Sequence, residues 1–197
     1  MPDEVSEDDL KILATSDHEL IEQSAQFCFD RKEFSRRMRS GEEWQQLVQC
    51  QIYLEHVVDQ LLRESIPFPE EVSFSRMAFR QRLDLARALD LIAADLTAAI
   101  RLLTKLRNNV AHNLSFEISE KDIDDLRNAT PKAMRKAILD GKNREKDEIK
   151  FFELLEVILL MTELSRHHQI AARLLQRKSQ IRLRTVLDQT PGAIYVR

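Results

Sequence analysis

Three residues near the middle of the chain, Arg107, Asn108 and His112, have side chains suited to phosphate chemistry. An arginine binds a phosphate through a planar fork of donors, and a histidine carries or releases a proton near neutral pH. The Arg-x4-His spacing alone is weakly specific, since the chain has 30 lysines and arginines. The context is more informative, because Arg-Asn-x-x-Ala-His ends a long segment of helical periodicity.

The segment that must position these residues begins near Phe79. Its apolar residues recur in alternating steps of four and three, which is the spacing of one helical face. Taken alone, this pattern predicts one long helix. Asp95 could instead cap a second helix that begins at Leu96, so one helix and two helices both stay open. The apolar residues of this face are Leu85, Leu89, Ile92, Leu96, Ala99, Leu103, Leu106 and Val110.

Helical geometry limits what the motif can do within one chain. Each residue turns a helix by about 100°, so Arg107 and His112 point about 140° apart. They converge on one substrate only if the helix unwinds near His112 or if a second subunit supplies one of them. Structural roles are the alternative: Arg107 would pair with an acid on a neighbouring helix, His112 would be stabilised by the helix dipole, and Asn108 would be an ordinary helix-ending residue.

The rest of the chain predicts an all-α bundle of five to seven helices. The 197 residues include only 3 glycines and 5 prolines, with 43% apolar residues, and this composition favours helix over a turn-rich β fold. Long helices are predicted over about Glu42–Ser65, with Trp44 and Ile52 on its apolar face, and over about Asp147–Leu187. Candidate helix starts are Ser16 or Asp17, Ser119 with Asp122, and Thr130 before Pro131.

These patterns divide the chain into an N-terminal helical segment (1–40), a helical bundle (41–187) with the motif at 107–112, and a C-terminal tail (188–197). Residues 1–9 are acidic and polar, and we expect them to form a frayed end. Between Phe151 and Leu164 the chain is apolar nearly all round, which predicts a place in the core or at an interface.

Net charge and the length of apolar runs also limit the classes of partner that we expect. The net charge of −3 gives no global attraction for nucleic acid, so any such contact needs a local basic patch. The basic run from Arg173 to Arg184 is more typical of a solvated helix face. No uncharged apolar run approaches the ~18 residues that span a membrane, and no signal segment is visible, so we expect a cytoplasmic protein without membrane contact.

The remaining histidines and cysteines suggest no further chemistry. Cys28 and Cys50 are too few for a disulfide framework and lack metal-ligand spacing, so we expect both to be reduced and buried. The adjacent His167 and His168 diverge on a helix, and we expect surface or interface positions for both. No cofactor is expected.

Residues from about Tyr53 to Ile118, roughly a third of the chain, resemble the helical HEPN superfamily, and within it bacterial mannitol-repressor-like regulators. Relatives of this kind break the helix where this chain has Ala93-Ala94-Asp95, so the resemblance favours two helices there. The pieces that carry the resemblance are Leu54-Glu55-x-x-Val58-Asp59-x-Leu61-Leu62, Phe79-x-x-Arg82-Leu83, Ala88-Leu89-Asp90-Leu91-Ile92 and Leu106-Arg107-Asn108-Asn109-Val110-Ala111-His112.

The resemblance implies a metal-independent endoribonuclease, in a toxin or phage-defence setting, whose two copies face each other across one cleft. A 2′-hydroxyl would attack the phosphate, His112 would move the proton, Arg107 would stabilise charge on the phosphoryl oxygens, and Asn108 would orient His112 or bind the phosphate. The implied partners are a second copy, RNA and an antitoxin or regulatory protein. HEPN toxins inhibited by nucleotidyltransferases often carry a tyrosine where this chain has Leu114, so regulation by its modification is unsupported.

A non-catalytic regulatory or interaction module, binding RNA, a nucleotide or a protein, is the alternative. A sequence-specific DNA-binding repressor is disfavoured, because the net charge is negative and no helix-turn-helix signal is visible. Glu55 and His56 could reach the motif across the bundle, although no spacing argument requires it.

Overall fold

The computed structural model describes residues 6–113, 116–140 and 149–189, and in these residues it contains nine α-helices, two single turns of 3-10 helix and no strand. The predicted all-α fold is confirmed, and the predicted number of five to seven helices is wrong. The 3-10 turns are Pro69–Glu71 and Phe74–Arg76. The helices are α1 (Glu7–Ala14), α2 (Asp17–Ser24), α3 (Arg31–Met38), α4 (Glu43–Ser65), α5 (Phe79–Ala88), α6 (Ala94–His112), α7 (Glu120–Ala129), α8 (Lys132–Asp140) and α9 (Phe151–Gln189).

The two unforeseen helices, α1 and α3, explain the difference in number. Each has eight residues, which is about two turns and too short for an apolar period to stand out. Their first turns are held by side-chain caps instead: Ser6 accepts from the Asp9 N–H, and Asp30 accepts from two N–H groups of α3. The frayed end predicted for residues 1–9 is therefore wrong from Ser6 onward.

The chain forms two compact units. The larger is Phe27–Arg166, and the smaller contains the described residues of Met1–Gln26 and His167–Arg197. Helix α9 contributes to both, since it is continuous from Phe151 to Gln189. The division into residues 1–40, 41–187 and 188–197 stays a prediction, and residues 190–197 of the proposed tail lie outside the described part.

The core of the larger unit is built on α4. Leu47, Val58 and Leu61 are fully buried, as their spacing predicts. Trp44 and Ile52 were predicted on the same face, and this is wrong: they are 46% and 62% exposed. The buried face of α4 follows positions 47, 50, 54, 57 and 61. Ile52 is five residues from Leu47 and therefore points about 140° away from it.

The segment from Phe79 to His112 is two helices, as the resemblance favours. Asp90, with φ 56°, takes the left-handed conformation in which aspartate is more tolerated than most residues. The Leu91 N–H then donates to the Ala86 carbonyl (2.9 Å) and the Asp90 N–H to the Arg87 carbonyl (3.1 Å), a Schellman motif that ends α5. Helix α6 begins at Ala94 with Ala93 at the cap position, so the predicted cap at Asp95 is wrong. Asp95 lies in the first turn, and its carboxylate accepts from the Leu96 N–H.

Burial of one face of α6 determines which residues face solvent. Leu96, Ala99, Leu103 and Leu106 of the predicted apolar seam are buried against the core, with α4 and α7 among the packing neighbours. Two other predicted helix starts are confirmed. Ser16, one of the two candidates, caps α2, and Ser119 caps α7.

The apolar start of α9 also lies in the core, as predicted. Phe151, Leu154 and Ile158 are buried there, while Leu164 is 48% exposed. No helix in the described part of the chain is both long enough and apolar enough to cross a membrane.

Candidate phosphate-binding site on helix α6

The three motif residues lie in the last turns of α6, and the helix stays regular through His112. Asn113 caps it, and the Asn113 N–H donates to the Asn109 carbonyl (3.0 Å). Unwinding at His112, one of the two routes to convergence of the motif, therefore does not occur. Arg107 and His112 sit five positions apart on one helix and point about 140° apart.

Arg107 is half-buried, while Asn108 and His112 are exposed. Nη1 of Arg107 donates to Oδ1 of Asn108 at 3.3 Å. Among the residues that the structure describes, Arg107 pairs with no carboxylate and the His112 ring makes no hydrogen bond. Leu114, two positions after His112, lies outside the described residues. The structure thus places Arg107 beside Asn108 and does not bring Arg107 and His112 of one chain together.

An exposed polar stripe runs along α6 and ends at His112. Arg101, Lys105, Asn108 and His112 follow each other in steps of four, three and four, and all four are exposed. These steps keep the side chains within about 60° of one another around the helix, opposite the buried seam. We call these four residues the α6 stripe. This face carries two permanent cations, Arg101 and Lys105, and the ring of His112, which can carry a proton. Such a face can bind the phosphates of a nucleic acid backbone.

Beside the α6 stripe, a groove of about 440 Å³ lies between α5 and α6. Phe79 and Leu83 close the bottom of the groove and are only 8% and 1% exposed, and Arg80 stands on the α5 side. Asp84 links the two helices, since its carboxylate lies 2.6 Å from Nη2 of Arg101 and 3.9 Å from Nε of Arg80. The groove is lined by Phe79, Arg80, Leu83, Arg101, Thr104, Lys105, Asn108 and Asn109.

Sequence reasoning found Asn108 but missed the cations beside it. Arg101 and Lys105 share the face of His112, and their steps of four and three were readable in the sequence. The apolar seam on the opposite face has the same period, so the period of this segment was interpreted through its apolar residues alone. Arg80 gave no such signal, because its place at the groove depends on how α5 packs on α6.

The other candidate side chains have structural partners away from the motif. Glu55 accepts from Gln51 and pairs with Arg82, and Nε2 of His56 lies 3.0 Å from the Cys28 carbonyl. Among the described residues, neither Glu55 nor His56 makes a hydrogen bond or ion pair with Arg107, Asn108 or His112.

The prediction of a surface or interface position is wrong for His167 and is confirmed for His168, which lies at the surface. His167 is only 7% exposed, and its Nε2 lies 3.1 Å from the Gln26 carbonyl, whereas His168 is exposed. In the basic run that follows, Arg173 and Arg184 are solvated as predicted. Lys178 is instead buried, with Nζ 2.6 Å from Oδ1 of Asp17.

The two cysteines are free thiols, as predicted, but only Cys50 is fully buried. Cys28 is half-buried and belongs to a charged cluster of Cys28, Glu64, Glu163 and Arg166, which we call the Arg166 cluster. Burial, and then the charge of Glu163, raises the pKa of the Cys28 thiol to about 12. The protonated thiol donates to Oε2 of Glu163 at 3.3 Å.

Arg166 holds this cluster together. Its guanidinium makes two hydrogen bonds to Glu163 and two to Glu64, at 2.8–3.1 Å. Burial by itself would raise the pKa of Glu163, but hydrogen bonds from Arg166 and from the Cys28 backbone outweigh it, and the pKa is lowered. The same carboxylates raise the pKa of Arg166 further, despite its burial.

No group of three or more His, Cys, Asp or Glu side chains suited to a metal ion occurs within the described residues. Comparisons of the chain with models of known families, with curated proteins and with solved structures found no match.

Proposed function

We propose that this protein is a metal-independent endoribonuclease of HEPN type, and that its active site is composite. In this proposal two copies pair about a two-fold axis. Arg107 and Asn108 of one copy face the partner's His112 across a cleft that holds RNA.

The observation that carries the proposal is the exposed His112 at the end of a cationic stripe. Arg101 and Lys105 lie on the same face and would attract the phosphates of an RNA strand toward it. The ring of His112 has no hydrogen-bond partner among the described residues, so nothing there competes with a substrate for it. The regular helix turns Arg107 away from His112, which is why a second copy is needed.

The proposed reaction is an internal displacement. His112 takes the proton of the 2′-hydroxyl, and the 2′ oxygen forms a bond to phosphorus. Arg107, with Asn108 beside it, donates to the phosphoryl oxygens as their negative charge grows. The bond from phosphorus to the 5′ oxygen breaks, and that oxygen takes a proton from the imidazolium. The products are a 2′,3′-cyclic phosphate and a 5′-hydroxyl.

A cleavage assay with chelator tests this proposal. The wild-type protein should cut labelled single-stranded RNA in excess chelator, and His112→Ala should cut at least about 100-fold more slowly, the scale of a lost acid–base group. His168→Ala is the matched control, since it also removes an exposed histidine. Cleavage that chelator abolishes, or that His112→Ala leaves unchanged, would contradict the proposal.

A second candidate function is a non-catalytic regulatory module that binds RNA or a protein through the same surface. It is favoured by the hydrogen bond from Arg107 to Asn108, which occupies part of the guanidinium. In the cleavage assay this candidate predicts intact RNA at every protein concentration, together with retained RNA binding.

A further inference from the structure

We propose that the groove between α5 and α6 binds one unstacked nucleotide of single-stranded RNA, next to the phosphate that is cleaved. The base would lie against the apolar lining of the groove, and the neighbouring phosphates would contact the cations at the rim. This inference rests on the proposed ribonuclease function, to which it adds a binding subsite for one nucleotide.

The size and lining of the groove suit a nucleobase. Its volume of about 440 Å³ falls within the roughly 300–1,000 Å³ of small-molecule sites. The exposed lining of the groove is mainly apolar. Phe79 and Leu83 close its bottom but are only 8% and 1% exposed, so a base would lie mostly against the methylene stems of Arg80, Arg101 and Lys105. Asn109 adds an amide group at the wall, where it can hydrogen-bond to the edge of a base. The Thr104 hydroxyl is directed instead to Oε1 of Gln51 (3.1 Å) and to the Ile100 carbonyl (2.9 Å).

The charge at the rim suits phosphates on either side of that base. Arg80, Arg101 and Lys105 bring three positive charges, and Asp84 is the one carboxylate that pairs with any of them in the described part of the chain. Lys105 has no ion pair with the described residues. The groove therefore keeps a net positive charge, which favours an anionic ligand over an apolar one.

The combination of a base pocket with a cationic rim selects a single strand. In a duplex the bases are stacked and paired, so none can enter a pocket without being extruded. Proteins that bind single strands combine a positively charged groove with surfaces that cover the flat faces of the bases. The α5–α6 groove has both features within one or two turns of helix.

Asn108 connects the groove to the motif. Its side chain lines the groove, and its Oδ1 accepts from Arg107. His112 follows one turn later on the same face, about 6 Å along the helix axis. A base in the groove would thus leave its phosphate beside the Arg107–Asn108 pair, while the histidine that acts on it would come from the partner copy.

The test measures binding without cleavage. The probe is a fluorescent oligouridylate of about eight nucleotides, within the usual site sizes for single strands, with 2′-O-methyl groups that cannot attack the phosphate. A matched probe has the same number of phosphates but lacks the bases. By fluorescence anisotropy, the wild-type protein should bind the probe with bases at least about 5-fold more tightly, since each covered base contributes on that scale.

Two variants locate the binding in the groove. Asn109→Trp places a large side chain into the groove and should remove the preference for bases. Lys105→Gln should weaken binding of both probes about 3-fold or more and lower the salt dependence of log Kd by about one unit per lost phosphate contact. The control Lys136→Gln removes an exposed lysine of α8 and should change neither property.

The outcomes separate this inference from the proposed function. Equal binding of the two probes by the wild-type protein overturns the nucleotide groove, even if ordinary RNA is cleaved. Unchanged binding in both Lys105→Gln and Asn109→Trp also overturns it. A base preference that Asn109→Trp removes supports the groove, even if ordinary RNA stays intact and the ribonuclease proposal fails.

Discussion

Two arginines of the larger unit show how differently the fold treats the same side chain. Arg166, on α9, is 5% exposed and makes hydrogen bonds to Glu64 and to Glu163, whose side chain is fully buried. Arg107, on α6, is half-buried, contacts Asn108 and has no carboxylate partner among the described residues. A buried cation requires such partners because isolated charge is costly away from water.

The partners of each arginine decide whether a ligand can bind to it. In the Arg166 cluster two carboxylates share the donors of one guanidinium, and the protonated Cys28 adds a further donor to Glu163. Such a cluster has little capacity left for a ligand. Arg107 keeps most of its five donors available, and so it is the arginine that a phosphate could reach.

Loss of Arg166 from the Arg166 cluster should lower the stability of the fold more than any other substitution considered below. Arg166→Ala leaves Glu163 buried without its main partner, and removing one member of a buried pair costs about 3–5 kcal/mol of unfolding free energy. For a chain of this size that lowers the melting temperature by about 10 °C. Arg107→Ala is the matched variant and should change the free energy of unfolding by no more than about 0.5 kcal/mol.

Thermal melts of the two variants, followed by circular dichroism, check this pair of expectations. A large loss of stability in Arg107→Ala would mean that Arg107 has a structural role, and the non-catalytic module would gain. A small loss in Arg166→Ala would mean that the cluster contributes little to the fold.

A smaller loss of folding stability is expected at low pH. The pKa of Glu163 is lowered in the folded protein from its usual 4.5, so folding favours the charged carboxylate. The resulting stability is present above pH 4.5 and is lost as the pH falls through the folded-state pKa. Urea unfolding at pH 7 and pH 3.5 should therefore show a smaller acid-induced loss in Glu163→Gln than in the wild-type protein.

Glu117→Gln is the control for this experiment, because it removes an exposed carboxylate. It should keep the wild-type dependence on pH. An acid-induced loss in Glu163→Gln as large as that of the wild-type protein would show that Glu163 does not couple folding to pH.

Local signals in the sequence were enough to predict the long helices and the position of the motif. The caps at Ser16 and Ser119 depend on residues three positions apart, and the buried seam of α6 depends on its own period. The candidate residues Arg107, Asn108 and His112 could be placed near one helix end for the same reason.

Features that depend on distant contacts were not predictable in this way. His167 is buried because it meets the Gln26 carbonyl, 141 residues away in the chain. The Arg166 cluster joins α4 and α9, and the groove depends on α5 packing beside α6. Ile52 is apolar like a core residue, but it lies on a face of α4 that no described neighbouring helix covers, and tertiary packing decides which apolar positions are covered.

In the proposed active site, Arg107 of one copy acts together with the partner's His112. Mixing two single variants tests it directly. Arg107→Ala and His112→Ala should each be inactive alone in the chelator-resistant RNA cleavage assay. After the two are mixed and allowed to exchange subunits, half of the dimers are mixed and each has one complete site, so about a quarter of wild-type activity should return.

The control is a mixture of His112→Ala with a double variant that lacks both side chains, which cannot form a complete site. Recovery in the first mixture and none in the control is the result that a composite site predicts. If the first mixture stays as inactive as its components while dimers exchange, Arg107 and His112 do not act across two copies, and the composite site is wrong.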